Sequence, residues 1–327
     1  MHKFKIWIAV FALVMAILML SGCSGQNSSQ QNVQATNNDL KELHIGIVPL
    51  PHYAHMWVAK KKGFIDEELQ KVGFKLKWEP FGLGTMVNEG FMAGKLDMGI
   101  MGDFPAFIGR SAGTNYQIVS IASTGPKTLA LVAKKDSDIV KVADLKGKKV
   151  GTTKGSYGQQ LLTMLLENNG LSMNDIQFMH VTMDDLTTAL VRGDVDAGVI
   201  WEPLLTRMEE AGEIKIISDG VDLYEAYAVL MASGDMIEKN PQAINAVLKA
   251  FQRGNEYLKQ NPDECFKLLM EDIKIPQLQL DKIVNKFDYN GAITDKFVAD
   301  MKNTEVFMRK NELIKKQVDV DAFIRKQ

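Results

Sequence analysis

Apolar and polar positions follow two rhythms along the first two thirds of the chain. Short apolar runs at 43–48, 118–123, 129–134 and 226–232 predict buried strands. Alternation of apolar and charged residues at 75–81 predicts a half-buried one, and Lys149-Val150-Gly151 and 176–181 predict two more. Helices are predicted over 53–62, where Met56, Trp57 and Ala59 form a core-facing stripe that stops at Gly63, and over 157–169, which stops at Gly170. Two further helices run from the loop Gly82-Leu83-Gly84-Thr85 to Gly94, and from a cap at Asp184 or Asp185 to Arg192. Beyond residue 232 the rhythm is purely helical. Asn240-Pro241 and Asn261-Pro262 each read as a cap followed by proline at the first helical position, and Asp319 or Asp321 opens the last helix.

One phrase occurs twice. Gly94-Lys95-Leu96-Asp97-Met98-Gly99-Ile100-Met101-Gly102-Asp103 returns as Gly193-Asp194-Val195-Asp196-Ala197-Gly198-Val199-Ile200-Trp201-Glu202, with proline just beyond at Pro105 or Pro203. A helix-ending glycine, a buried strand and an acidic turn into a new helix account for each position. With Gly63 and Gly170 in matching places, the echo spans a whole βαβαβ unit. The chain therefore divides into a first lobe of 40–131 with 227–327 and a second lobe, 132–226, inserted into it. Two crossings make a hinge with one main degree of freedom.

The 327 residues are 46% hydrophobic and 24% charged, enough for two cores. A net charge of −2 without basic blocks argues against nucleic acid. Cys23 and Cys265 are too few for a disulfide framework or a cysteine metal site. Lys3 and Lys5 ahead of the apolar run 6–20 read as a targeting signal, the run being short for a membrane span. Leu20-Ser21-Gly22-Cys23 resembles the bacterial lipoprotein box, which implies cleavage after residue 22 and acylation of Cys23. Residues 24–39, rich in Ser, Gln and Asn, are expected to be a disordered tether, giving an extracytoplasmic, membrane-anchored lipoprotein.

Four segments resemble the solute-binding proteins of ABC importers for sulfonates, taurine, nitrate and thiamine-pyrimidine precursors. They are Met101-Gly102-Asp103-Phe104-Pro105-Ala106, Asp144-Leu145-Lys146-Gly147-Lys148-Lys149-Val150-Gly151, Lys154-Gly155-Ser156, and Val195-Asp196-Ala197 with Trp201-Glu202-Pro203. The resemblance covers roughly residues 43–260. It implies an α/β, two-lobe type II periplasmic binding protein fold with two hinge crossovers. It also implies a monomer without cofactor that captures a small-molecule solute and delivers it to a permease and its ATPase.

In open α/β sheets ligands sit beyond the carboxyl ends of strands. That rule selects His52, Tyr53, Gly84, Thr85, Gly102, Asp103, Phe104 and Ser123 in the first lobe, and Lys154, Ser156, Tyr157, Asp184, Trp201 and Glu202 in the second, with Tyr224 as a further aromatic wall. Small residues at helix starts let an anion approach backbone N–H groups. Asp103 and Glu202 either cap helices or favour a solute that also carries an amine. His52 and His55 without a third ligand make a poor metal site, and no nucleophile–base set is visible. Open alternatives are a pyrimidine-type or aromatic-acid solute, a pyrimidine-synthase-like enzyme, and a sensor subunit docking on a receptor.

Overall fold

The computed structural model describes residues 40–325. The expected signal, the expected lipid attachment at Cys23 and the expected tether lie outside the described residues. Ten strands among the described residues form two five-stranded sheets. The first contains β1 (Lys41–Ile47), β2 (Phe74–Pro80), β3 (Met98–Gly102), β4 (Tyr116–Gly125) and β10 (Ala226–Ser233), in the order β2-β1-β3-β10-β4. The second contains β5 (Leu129–Lys134), β6 (Lys149–Thr152), β7 (Gln177–His180), β8 (Ala197–Trp201) and β9 (Ile214–Asp219), in the order β7-β6-β8-β5-β9. In each sheet the first three strands are parallel, and the fourth runs antiparallel to both neighbours. The two sheets thus share one topology.

The repeated phrase has a structural cause. Gly46 of β1 pairs with Gly99 of β3, and Gly151 of β6 pairs with Gly198 of β8 in the same register. A Cβ on Gly99 would lie 2.7 Å from Val87 and from Phe91, and one on Gly198 would lie 2.9 Å from the Gly151 carbonyl and 3.1 Å from Leu186. The strands carry glycine because a helix packs directly on them. The phrase aspartates close each pair: Asp97 Oδ2 accepts from His44 N–H, and Asp196 Oδ2 accepts from Lys149 N–H, both at 2.8 Å. Gly94 and Gly193 take the left-handed conformation that ends the preceding helix, with φ of 66° and 82°.

The chain crosses between sheets at 126–128 and returns at 220–225, where Gly220 N–H donates to Pro126 O at 3.0 Å and ties the crossings together. The first boundary therefore lies before residue 129, not at 131. β5 belongs whole to the second sheet because Leu129, Leu131 and Ala133 face one core there while Ala130 and Val132 face the other. Two elements escape the sequence reading. Gly63, which stops the helix Ala54–Lys61, has φ 75° and also begins a second helix, Phe64–Gln70. β9 is half-buried and lacks a clear apolar run.

The C-terminal part is not purely helical. After the helices Pro241–Gln260, Pro262–Ile273 and Gln277–Val284, a turn at 285–286 leads into a non-helical segment, 287–292, that runs beside β4, with Asp288 and Thr124 exchanging two backbone hydrogen bonds of 2.8 and 3.0 Å. The turn and this segment bring Lys286 and Phe287 to the junction of the lobes. The helix Asp295–Lys310 then packs Phe297, Met301 and Met308 into the first core, and Ile324 bridges back to Ile118 of β4.

Candidate functional site

The ends of β1, β3, β4 and β10 meet the start of the helix Tyr157–Asn168 from the other lobe around a cavity of about 40 Å³. Its walls include Leu50, His52, Tyr53, Gly102, Ser123 and Phe287 from the first lobe, Thr128 from the first crossing, and Tyr157 from the second lobe. Tyr157 reaches across to Gly102, where an added Cβ would stand 3.5 Å from its ring. Typical ligand sites enclose a few hundred Å³. An organic solute entering at this point therefore needs the lobes to part.

Several polar atoms at this junction are buried and have no partner: His52 Nδ1, Ser123 Oγ, Asp103 Oδ2 and Tyr224 OH. Asp103 is fully buried at the first position of the helix Asp103–Ser111, and its Oδ1 accepts from Phe104 N–H at 2.9 Å. Burial pushes its carboxyl up to about 7; backbone N–H groups oppose that rise and nearby Asp300 adds to it. Burial also lowers the His52 imidazole to about 4, so the ring is neutral at pH 7. The Tyr157 and Tyr224 phenols are held well above their usual value by burial, and Asp103 contributes to both.

A family model for "NMT1/THI5 like" proteins matches residues 50–265. The chain belongs to that family. It is 30% identical over 325 residues to a protein of Bacillus subtilis (strain 168) provisionally named an aliphatic sulfonates-binding protein, covering 97% of this chain and 96% of that one. Over 197 residues it is 25% identical to the taurine-binding periplasmic protein of Escherichia coli (strain K12), covering 60% of this chain and 61% of that one. The crystal structure of the periplasmic aliphatic sulphonate binding protein from Escherichia coli superposes with a TM-score of 0.80 at 27% identity, over 87% of this chain and 97% of that one. Family membership and this superposition give the α/β two-lobe periplasmic binding protein fold.

Within that fold the residues selected by sequence separate into three groups. His52, Tyr53, Gly102, Ser123 and Tyr157 line the 40 Å³ cavity, Asp103 is buried beside it, and Tyr224 lines a neighbouring cavity of about 370 Å³. Trp201 stands behind the wall, edge-on to Tyr157 at 4.8 Å. The rest lie elsewhere. Phe104 is buried in the first core, edge-on to Phe307, because its helix turns that side inward. Gly84 packs on Met101 and Pro105, and Thr85, Lys154 and Asp184 are exposed. Ser156 is spent locally, donating to Thr153 O at 2.6 Å and capping Gln159 N–H. Thr182, rather than Asp184 or Asp185, caps the helix Met183–Arg192.

Glu202 does not face the cavity. Its carboxylate accepts from Lys286 Nζ at 2.5 Å, from Thr206 Oγ1 at 2.9 Å and from Thr206 N–H at 3.2 Å, which leaves no room for a solute. His55 is buried against Phe251 and Tyr289, and among the described residues no cluster could hold a metal. Sequence reasoning misses Thr128, Tyr227 and Phe287. Thr128 and Tyr227 flank the crossings, where no pattern announces a wall. Phe287 sits in the non-helical segment that the helical rhythm conceals.

Proposed function

We propose that this protein is the extracytoplasmic solute-binding subunit of an ABC importer, closing its lobes over a small organic sulfonate or a related anion or zwitterion. The observation that carries the reading is the set of unpartnered polar atoms around a cavity too small for a solute. Buried polar groups are ordinarily paired. A solute entering between open lobes would pair them, so it binds the closed form better and shifts the population towards it. The names of the sulfonate- and taurine-binding relatives support the choice of solute. In this reading a lipid on Cys23 holds the protein at the membrane beside its permease and ATPase, and the protein acts as a monomer.

The one cysteine among the described residues lies away from the junction, which fits binding without chemistry. Cys265 is buried within the C-terminal helices, where burial pushes its thiol up to about 11, and it is far from a nucleophile's state. Calorimetry against a panel of alkanesulfonates, with small-angle scattering of the same samples, tests the proposal. Saturable binding with a fall in radius of gyration is expected. Turnover of a bound solute would replace it with an enzymatic reading, and absence of binding across the panel would remove it.

A further inference from the structure

We infer that the first lobe carries a second small-molecule site, a groove outside the cleft that takes a neutral polyhydroxylated ligand such as a sugar. It stands apart from the importer reading, because no residue lines both this groove and the interlobe cavity.

The groove encloses about 880 Å³, a volume in the range of small-molecule sites. It is lined by the helix Pro241–Gln260, by the segment 288–292 and by residues 119–121 of β4. Hydrogen bonds hold these parts to one another. Ile121 N–H and Ser120 Oγ donate to Gly291 O at 3.3 and 2.9 Å, and Asn255 Nδ2 donates to Tyr289 O at 3.1 Å.

Two polar atoms of the lining residues have no partner among the described residues, His55 Nδ1 and Asn255 Oδ1. His55 is 3% exposed and packs against Phe251 and Tyr289. Burial lowers its ring to about 3, so it is neutral at pH 7. A neutral imidazole offers one donor and one acceptor, and the carboxamides of Asn245, Gln252 and Asn290 in the same lining offer both kinds.

The charges of the lining cancel. Lys249 is engaged by Glu68 at 3.1 Å, which leaves Lys259 and Arg325 against Glu256 and Asp288. Net charge therefore selects neither an anion nor a cation. An apolar molecule would leave the polar groups unpaired. Hydroxyl groups donate and accept at once, so a molecule carrying several of them serves a lining of both kinds. Met56, Ile121 and Phe251, all buried, give its C–H face an apolar surface.

Calorimetry on the intact chain with maltose, sucrose and sorbitol tests the inference, with glucuronate and glucosamine as charged counterparts. At least one of the three neutral probes is expected to bind saturably, and neither charged sugar more tightly. Ala292→Trp puts a bulky side chain into the groove from an exposed position and should weaken that binding about tenfold or more. Asn255→Ala should weaken it about threefold or more. Gly102→Leu, which obstructs the cleft, should leave it unchanged, with circular dichroism melts confirming that the variants fold. No saturable binding of the three neutral probes, or binding unmoved in both groove variants, overturns the site and leaves the importer reading standing. Loss of the binding in Gly102→Leu would put the sugar in the cleft and overturn the groove. A charged sugar bound about tenfold more tightly than the neutral probes, a difference of about 1.4 kcal/mol, would overturn the ligand class.

Discussion

Lys286 Nζ and Glu202 Oε1, 2.5 Å apart, join the two lobes through a carboxylate that is completely buried. Glu202 ends the second copy of the repeated phrase, whereas Lys286 comes from the turn that leads into the segment beside β4. The pair therefore forms only when the C-terminal part and the inserted lobe are in place together. Lys286→Met leaves a buried carboxylate without its counter-charge, at a cost of about 3 kcal/mol in urea unfolding. It should also raise the radius of gyration of the empty protein, because a contact that holds the lobes shut is gone. A variant as stable and as compact as the parent would show that the bridge does not hold the lobes.

Asp103 predicts a pH effect of definite sign. Its carboxyl stands near 7 when folded against an ordinary 3.8, with Tyr157, Tyr224 and Asp300 around it and Lys296 bound to Asp300. Between those values the folded protein holds the extra proton, so this group costs stability as pH rises from about 4 to 7. His52 and His55, lowered to about 4 and 3 by burial, act in the opposite sense, adding stability as pH rises towards 6.5. The Asp103 effect is therefore read as a difference. Relative to the parent, Asp103→Asn should gain on the order of 1.4 kcal/mol of stability for each step of one in pH between 5 and 7. Above the folded value the gain should level off, and a difference that stays flat across the whole range would show that the carboxyl is already ionised at pH 5.

Gly102 lies under Tyr157, with φ −66°, so the backbone there tolerates any side chain. An alanine Cβ would meet the ring at an ordinary 3.5 Å, and a leucine would overlap it. Gly102→Ala should bind solute nearly as the parent does. Gly102→Leu should keep its melting temperature and lose affinity by about tenfold or more, since Tyr157 can no longer close. Equal affinities would mean that closure does not bring these residues together.

The phrase aspartates should behave as structural twins. Asp97→Ala and Asp196→Ala each free a backbone N–H at 2.8 Å in matching places of the two sheets. Each is expected to cost about 1–3 kcal/mol in unfolding. Neither carboxylate lies in the wall of the cavity, so solute affinity should follow the parent in both.

Much of the fold is legible in the chain. The strand and helix rhythms, the glycine stops and the duplicated phrase point to two like α/β lobes because each depends on local chemistry: a period of two or of 3.6, a left-handed turn, a helix pressed onto a strand. The glycines at 99 and 198 record that last contact directly. Where one residue serves two neighbours the reading slips, as at Gly63, which both ends and begins a helix.

The site is legible only in part, and the reason is distance along the chain. A sequence says that Asp103 and Glu202 occupy equivalent places in equivalent repeats, and local rules treat them alike. The folded chain separates them: Glu202 meets a lysine 84 residues away, and Asp103 meets none. The duplicated halves and their crossings are local matters that the residues themselves determined. Only the tertiary structure decided which of two matching acids is neutralised from within and which is left unpaired at the cleft, because that depends on where the C-terminal segment comes to rest.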